Sequence, residues 1–440
     1  MKKLILILAL ALLLCSCVDG ATKIGLDRLN WSQSIDGIKF SGTAPASTAG
    51  TLYNESGTLK FNGDDVSVGG YHAIIRAEDD GYFAYAQNVT LIASDTSAPY
   101  DFGTVLNSVI AALGPNRTIL VEGDFSTTTT GKLLNGTKLY GIGDSSISTS
   151  SIMVVIGTDD TDYLHRDIVI EDLRIFYTGT ATPTTALIEI HDPLSCTIRN
   201  VNAVCTSVAA YNSGYRGSLS LTSDIPYTWL NKIEACTLNH IRLDNITDSL
   251  IENNAINTYG KGGQAIKLIG LCNNIKIIQN EIVCDTASGI NIAAACWNLQ
   301  ITENYFEAHM HSPTPGNLET AIKIDASTRY CMIANNHFTY LNGNGIQFNG
   351  KYGIISNNVF ENMNNADNSY SDIDLTGDTN LVTGNLGTNS VGSANKAVMI
   401  DDSDYNMVYN NHAKGDGYSN IFVSGGNSLA DNNVYWPGAL

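Results

Sequence analysis

The chain has 440 residues, 43% of them hydrophobic and only 15% charged, with 40 Gly and 9 Pro, enough to bury a long core. Its formal net charge of −19, or −21 without Lys2 and Lys3, makes the surface strongly acidic and argues against nucleic acid as a partner.

Met1–Lys3 is a charged opening, and Leu4–Leu14 is an apolar run too short to span a membrane. Leu14-Cys15-Ser16-Cys17 reads as a lipoprotein processing box with Cys17 as the lipidated residue, so residues 1–17 form a signal peptide; ordinary secretory cleavage nearby is the alternative. Both place the protein outside the cytoplasm, secreted or at the cell surface, touching the membrane only through a lipid anchor. Residues 18–100 form a small β-rich presentation module. Thr51–Phe61 reads as a hairpin turning over Asn54–Gly57, similar to small hairpins of phage tail and fibre proteins; Trp31, Tyr71, Tyr82, Phe83 and Tyr85 supply its apolar side chains. Six N-x-Ser/Thr sequons, at Asn30, Asn54, Asn88, Asn116, Asn135 and Asn245, permit surface glycosylation where the host performs it.

The third segment, residues 101–440, begins with a helical stripe of Val105, Leu106, Val109, Ile110 and Leu113, stopped by Gly114-Pro115. A strand over Arg117–Phe125 follows. From Ile168 the coils run on through Ile170–Ile175, Ile198–Ala203 and Leu230–Ala235. Then one pattern recurs: a branched apolar residue, two free positions, Asn, one free position, and another apolar residue. It carries Asn254, Asn280, Asn304, Asn336 and Asn358, with decayed copies at Asn385, Asn411 and Asn432. The steps are 26, 24, 32, 22, 27, 26 and 21 residues, the signature of a solenoid whose units bury their faces only by stacking. Upstream of each motif lies a short alternating run, such as Ala265–Leu268, Gly289–Ile292 and Ala321–Ile324, which reads as strand. The two features start 8 to 11 residues apart, too close for an intervening helix. Each unit therefore holds about three strands, with the Asn at a bend where it tolerates the left-handed conformation and bonds the Asn one coil away.

This layout resembles the right-handed parallel β-helix of the pectate-lyase-like superfamily, including its Asn ladder, over roughly residues 101–436. The expected class is all-β: about ten coils, a capping helix at Thr104–Leu113, and the small N-terminal module. Val121-Glu-Gly-Asp-Phe125 partly matches the Pro-x-Gly-x-Tyr that often follows the family's cap. Of nine Cys, Cys15 and Cys17 belong to the leader, leaving an odd seven. Cys272 and Cys296 share one coil offset and Cys196 and Cys331 another, which suits buried free thiols stacked inside the solenoid.

Aligning the alternating strands gives an outward column of Glu189, Ser220, Arg242, Lys267, Asn291, Lys323, Gln347, Asp374, Met399 and Phe422. A second column, two residues on, includes His191, Thr222, Asp244 and Asp325. The resemblance implies that acidic polysaccharide binds this face, between the loops 205–217 (Tyr211, Tyr215, Arg216) and 307–320. The candidate substrate-binding residues are His240, Arg242, Asp244, Lys267, Asn291, Lys323 and Asp325, overhung by His309 and His311. Arg242, Lys267 or Lys323 is the candidate base of an eliminating lyase. Asp244 and Asp325 stand three coils apart, roughly 14 Å, too far for a hydrolase pair. Polygalacturonase-type signatures are absent, and His191-Asp-Pro193 reverses the Asp-Pro-His of mannuronan epimerases, so no catalytic residue transfers from the resemblance. Asp372, Asp374 and Asp401 form a candidate Ca²⁺ site. Two readings follow for this extracytoplasmic protein. One is a β-helix that binds and processes acidic polysaccharide or cell-surface glycan, as a lyase before a hydrolase. The other is a non-catalytic adhesin or phage-fibre-like structural protein.

Overall fold

The computed structural model describes residues 71–87, 90–151, 154–158, 164–179, 185–205, 217–225, 228–258, 263–284, 288–308, 320–341, 343–363, 370–389, 396–400, 403–415, 422–423 and 427–436, and the backbone of 52–55, 58–61 and 64–65. The chain divides into two compact units, 1–71 and 72–440. In the first, Leu52–Glu55 pairs antiparallel with Thr58–Phe61, which pairs with Asp64–Asp65. Asn54 and Glu55 are thus strand residues, and the turn is tighter than the sequence suggests. Cys17 and Trp31 lie outside the described residues.

In the second unit the division lies well before residue 100. Ala73–Glu78 pairs antiparallel with Gly81–Ala86, which pairs with Leu91–Asp95, while Ala73–Glu78 also runs parallel to Thr118–Ser126. Tyr82 packs edge-on against Phe125 at 4.9 Å, and its hydroxyl accepts the Ser126 N–H at 2.7 Å, so this aromatic belongs to the solenoid's capped end. The helix Phe102–Leu113 buries Phe102, Val105, Leu106, Val109 and Ile110 over that end of the core. Asp101 caps it by accepting the Thr104 N–H at 2.9 Å, and Gly114 closes it at φ 74° with its N–H donating to Ile110 O.

Each coil contributes three parallel strands. One set forms a twelve-stranded sheet from Gly131–Lys132 to Phe422–Val423, two more strands than the expected ten coils supply. The other two sets flank the Asn bend, as Leu250–Glu252 and Ala255–Asn257 do within one coil. Branched aliphatics stack in register along the interior, as in Ile241, Ile266, Ile290, Ile322 and Ile346. Burying each stabilises the fold by about 1.5–3 kcal/mol. Phe306, Phe338 and Phe360 stack with ring centroids 4.8 and 4.7 Å apart.

The ladder is continuous. The backbone N–H and side-chain amide of Asn254 both donate to Asn280 Oδ1, and the pattern repeats through Asn304, Asn336, Asn358, Asn385 and Asn411. Two details differ from expectation. The left-handed residue is the one before each ladder Asn (Asn253, Gln279, Glu303, Asn335, Asn357), because the ladder side chain must point inward to reach its neighbour. The last rung is Asn433, which accepts from Asn411 at 3.0 and 3.1 Å, while Asn432 takes the left-handed position at φ 53°.

Cys196, Cys205, Cys236, Cys272, Cys296 and Cys331 are buried free thiols; the Cys284 side chain lies outside the described residues. Burial pushes Cys196, Cys236 and Cys331 up to about 12. An aromatic disulfide reagent at mildly alkaline pH should therefore label these three only on unfolding. A raised folded value means the unfolded chain releases these protons first. Their contribution to stability is full below the ordinary thiol value of 9.0 and falls as pH rises towards 12.

Candidate functional site

The outward column holds its expected register on the twelve-stranded sheet from Glu189 to Phe422, one residue per coil at a spacing near 4.8 Å. Its exposure is not uniform. Glu189, Ser220 and Asp374 are buried, because alternation decides which side of a strand a residue takes and not what lies above that side. The accessible stretch runs from Arg242 through Lys267, Asn291 and Lys323 to Gln347.

Arg242 is not free for proton abstraction. Its guanidinium donates to Asp244 Oδ2 at 2.7 Å, since residues two apart on a strand share a face. Its Nε and the Oγ of Ser220 on the paired strand are both buried without a hydrogen-bond partner among the described residues. Lys267 is half-buried and Lys323 exposed; among the described residues no carboxylate lies within ion-pair distance of Lys267. Asp325 is committed to its own turn. Its Oδ1 accepts the Ser327 hydroxyl at 2.5 Å and the Ser327 N–H at 2.9 Å, bonds that, with Lys323 nearby, hold its carboxyl below the usual range.

His240 is buried at 5% exposure, at the start of the Ile241–Asp244 strand. Gly217 (φ 94°) and Gly263 (φ 85°) close over it, and a Cβ on Gly217 would stand 2.4 Å from the His240 Cβ. It therefore packs beneath the face, since the glycines on both neighbouring coils leave room only for its ring. His309, His311, Tyr211, Tyr215 and Arg216 lie outside the described residues.

Sequence reasoning placed Glu189 and His191 in the outward columns but not in the site. His191 Nε2 stands 3.6 Å from Glu189 Oε1, and its Nδ1 is 3.1 Å from Thr222 Oγ1. His191 and Glu189 lie two coils before Asp244 and Arg242 in the same two columns, about 10 Å along the axis, outside the cationic stretch.

Asp372 and Asp374 do not project into solvent as expected. All five residues of Ser371–Leu375 are buried, and Asp374 Oδ2 accepts from Asn344 Nδ2 at 3.2 Å. Asp401 lies outside the described residues, and among the described residues no group of three acidic, His or Cys side chains is arranged to hold a metal. A groove of ≈ 360 Å³ opens over the Asn bend of the early coils, lined by Asp144, Asp172, Arg174, Asn200 and Asn202. Its charged groups already pair, Arg174 with Asp144 at 2.7 Å, and Asn200 donates to Asp172 at 2.5 Å.

No protein-family model and no curated protein matches the chain. Solved structures do. The A-module of the Azotobacter vinelandii mannuronan C-5 epimerase AlgE6 superposes with a TM-score of 0.50 at 11% identity, over 77% of this chain and 96% of the module. The AlgE4 A-module gives 0.50 at 13% identity, over 75% and 96%. The Streptococcus pneumoniae surface adhesin PfbA gives 0.50 at 13% identity, over 74% and 88%. The fold is a right-handed parallel β-helix. At these identities the likeness is one of fold, shared by epimerase modules and an adhesin alike. What distinguishes this β-helix is the content of its outward columns.

Proposed function

We propose that the protein is an extracytoplasmic β-helix, anchored through Cys17, that binds acidic polysaccharide along the column Arg242–Lys267–Asn291–Lys323–Gln347. The observation that carries this reading is the cationic stretch itself. In a chain of net charge −19 with 24 basic residues, three cations stand in one register with amides between them. That array suits a polymer with repeating carboxylates lying along the helix axis. Arg242 and Lys323 take the charges; Asn291 and Gln347 bind hydroxyls.

The chemistry this face supports is elimination rather than hydrolysis. A cation on the uronate carboxylate acidifies the C5 proton, whereas Asp244 and Asp325 are three coils apart in the second column. We assign the base to Lys267 in its neutral form, one coil from Arg242, whose guanidinium meets the carboxylate of the same uronate. Lys267 Nζ takes the C5 proton. The electron pair becomes the C4=C5 double bond, the C4–O4 bond breaks, and the leaving oxygen takes a proton from water.

The test is a panel of uronate polysaccharides followed by ultraviolet absorbance of unsaturated ends. Wild type should produce them, and Lys267→Gln should not while still binding. Binding without any unsaturated product reduces the protein to the adhesin-type reading. Replacing Lys267 and Lys323 together by Ala should weaken binding roughly tenfold, about 1.4 kcal/mol, with a shallower salt dependence.

A further inference from the structure

A second surface lies on the bend by which each coil leaves the twelve-stranded sheet. One position of that bend is left-handed in successive coils: Asp248, Asn274, Asn298, Tyr330, Tyr352, Thr379 and Tyr405, with φ between 45° and 61°. Asp and Asn are the ordinary occupants of such a position, because their short polar side chains relieve the strain locally. Tyr and β-branched Thr gain no such relief. Nor does burial account for them: Tyr330, Tyr352 and Tyr405 are 54%, 43% and 64% exposed. Bulky aromatics that are both strained and solvent-facing point to a task other than folding.

Their arrangement is specific. The Tyr330 and Tyr352 rings stack at 5.3 Å and 16°, so their faces look along the helix axis. The next coil carries Thr379, a small exposed residue, and the coil after it carries Tyr405. Omitting one ring from the series leaves a slot between the Tyr352 and Tyr405 coils, about 10 Å from backbone to backbone. Its rim is polar: Lys351 Nζ binds Asp378 Oδ2 at 2.7 Å, and Asp378 Oδ1 accepts the Asp404 N–H at 3.0 Å.

We propose that this slot binds one pyranose ring of a polysaccharide, sandwiched between Tyr352 and Tyr405 over Thr379. The Lys351–Asp378 pair meets its hydroxyls. Exposed tyrosines two coils apart with a small residue between them, edged by hydrogen-bonding groups, match the apolar faces and polar rim of a sugar. A second copy of the chain is the poorer occupant, since two bodies of net charge −19 repel. The site uses none of the residues of the cationic column, and stacking, unlike ion pairing, survives salt.

The test measures retention of the full chain, at high ionic strength, on immobilised xyloglucan, galactomannan, alginate and polygalacturonate. Wild type should be retained by at least one. Tyr352→Asn with Tyr405→Asn should lose roughly tenfold in affinity with an unchanged or higher thermal midpoint, because Asn occupies this position in the earlier coils of Asn274 and Asn298. Thr379→Tyr, which fills the slot and completes the ring series, should lose as much. Lys267→Ala with Lys323→Ala should leave this binding intact. Retention unchanged by both slot variants, loss in the lysine variant, no retention of wild type on any polymer, or a wild-type dimer that Thr379→Tyr dissociates would each overturn the proposal. Wild-type binding that is wholly insensitive to salt, with loss in both slot variants, speaks against the cationic column and supports the slot.

Discussion

Asn304→Leu should lower the unfolding free energy by roughly 2–4 kcal/mol, read as a drop in the urea midpoint with an unchanged slope. Leucine keeps asparagine's branching and heavy-atom count, so the chief loss is one of hydrogen bonds. Asn304 Oδ1 accepts from both the backbone and side-chain nitrogens of Asn280, at 3.0 and 2.9 Å. Its Nδ2 donates to Ile277 O at 2.9 Å, Thr302 O at 3.1 Å and Asn336 Oδ1 at 3.0 Å. The substitution strands the buried Asn280 N–H and removes the second donor to the Ile277 carbonyl, and water cannot reach the Asn280 N–H. Glu303→Asn, one residue earlier at φ 59°, is the contrast: it relieves a left-handed position on the surface and should be neutral or slightly stabilising. Equal losses at both positions would contradict the ladder's role.

Phe338→Ala should cost about 3–5 kcal/mol. Phe338 is fully buried and sits in the middle of a three-ring stack, with Phe306 on one side and Phe360 on the other. The cavity cannot close by local collapse, because each neighbour belongs to a coil held by its own strand pairings on both sides. Phe360→Leu, which keeps most of the volume, should cost well under half as much by the same urea measurement. An equal cost for the two would show that volume is not what the stack supplies.

The long sheet could be read from residue type because inward β-branched residues alternate with polar ones in every coil, so aligning the runs aligned the columns. The cap hairpin could not. Ala73–Glu78 pairs with Thr118–Ser126 across more than forty residues, and neither segment's spacing announces the other. The last rung was misplaced by one for a clear reason. The inward position there is Ala430, paired with Val408, while the larger Leu429 lies exposed, so size pointed to the wrong residue. Adjacent Asn pairs such as Asn410-Asn411 and Asn432-Asn433 compound this, since bend and ladder favour the same side chain for different reasons. In the site, register placed Arg242, Lys267, Asn291 and Lys323 correctly. What it left out was cover and pairing: His240 lies beneath two glycines and Asp374 among amides. The Tyr slot was invisible to hydrophobic periodicity, because it depends on a backbone angle at one bend residue.

The most direct measurement is lysine acetylation read by mass spectrometry, with and without a saturating uronate polymer that the protein is shown to retain. Lys267 and Lys323 should be protected together, while Lys276, exposed on a neighbouring sheet, should react at its free rate. Unchanged acetylation of Lys267 and Lys323 while the polymer is bound would contradict the account.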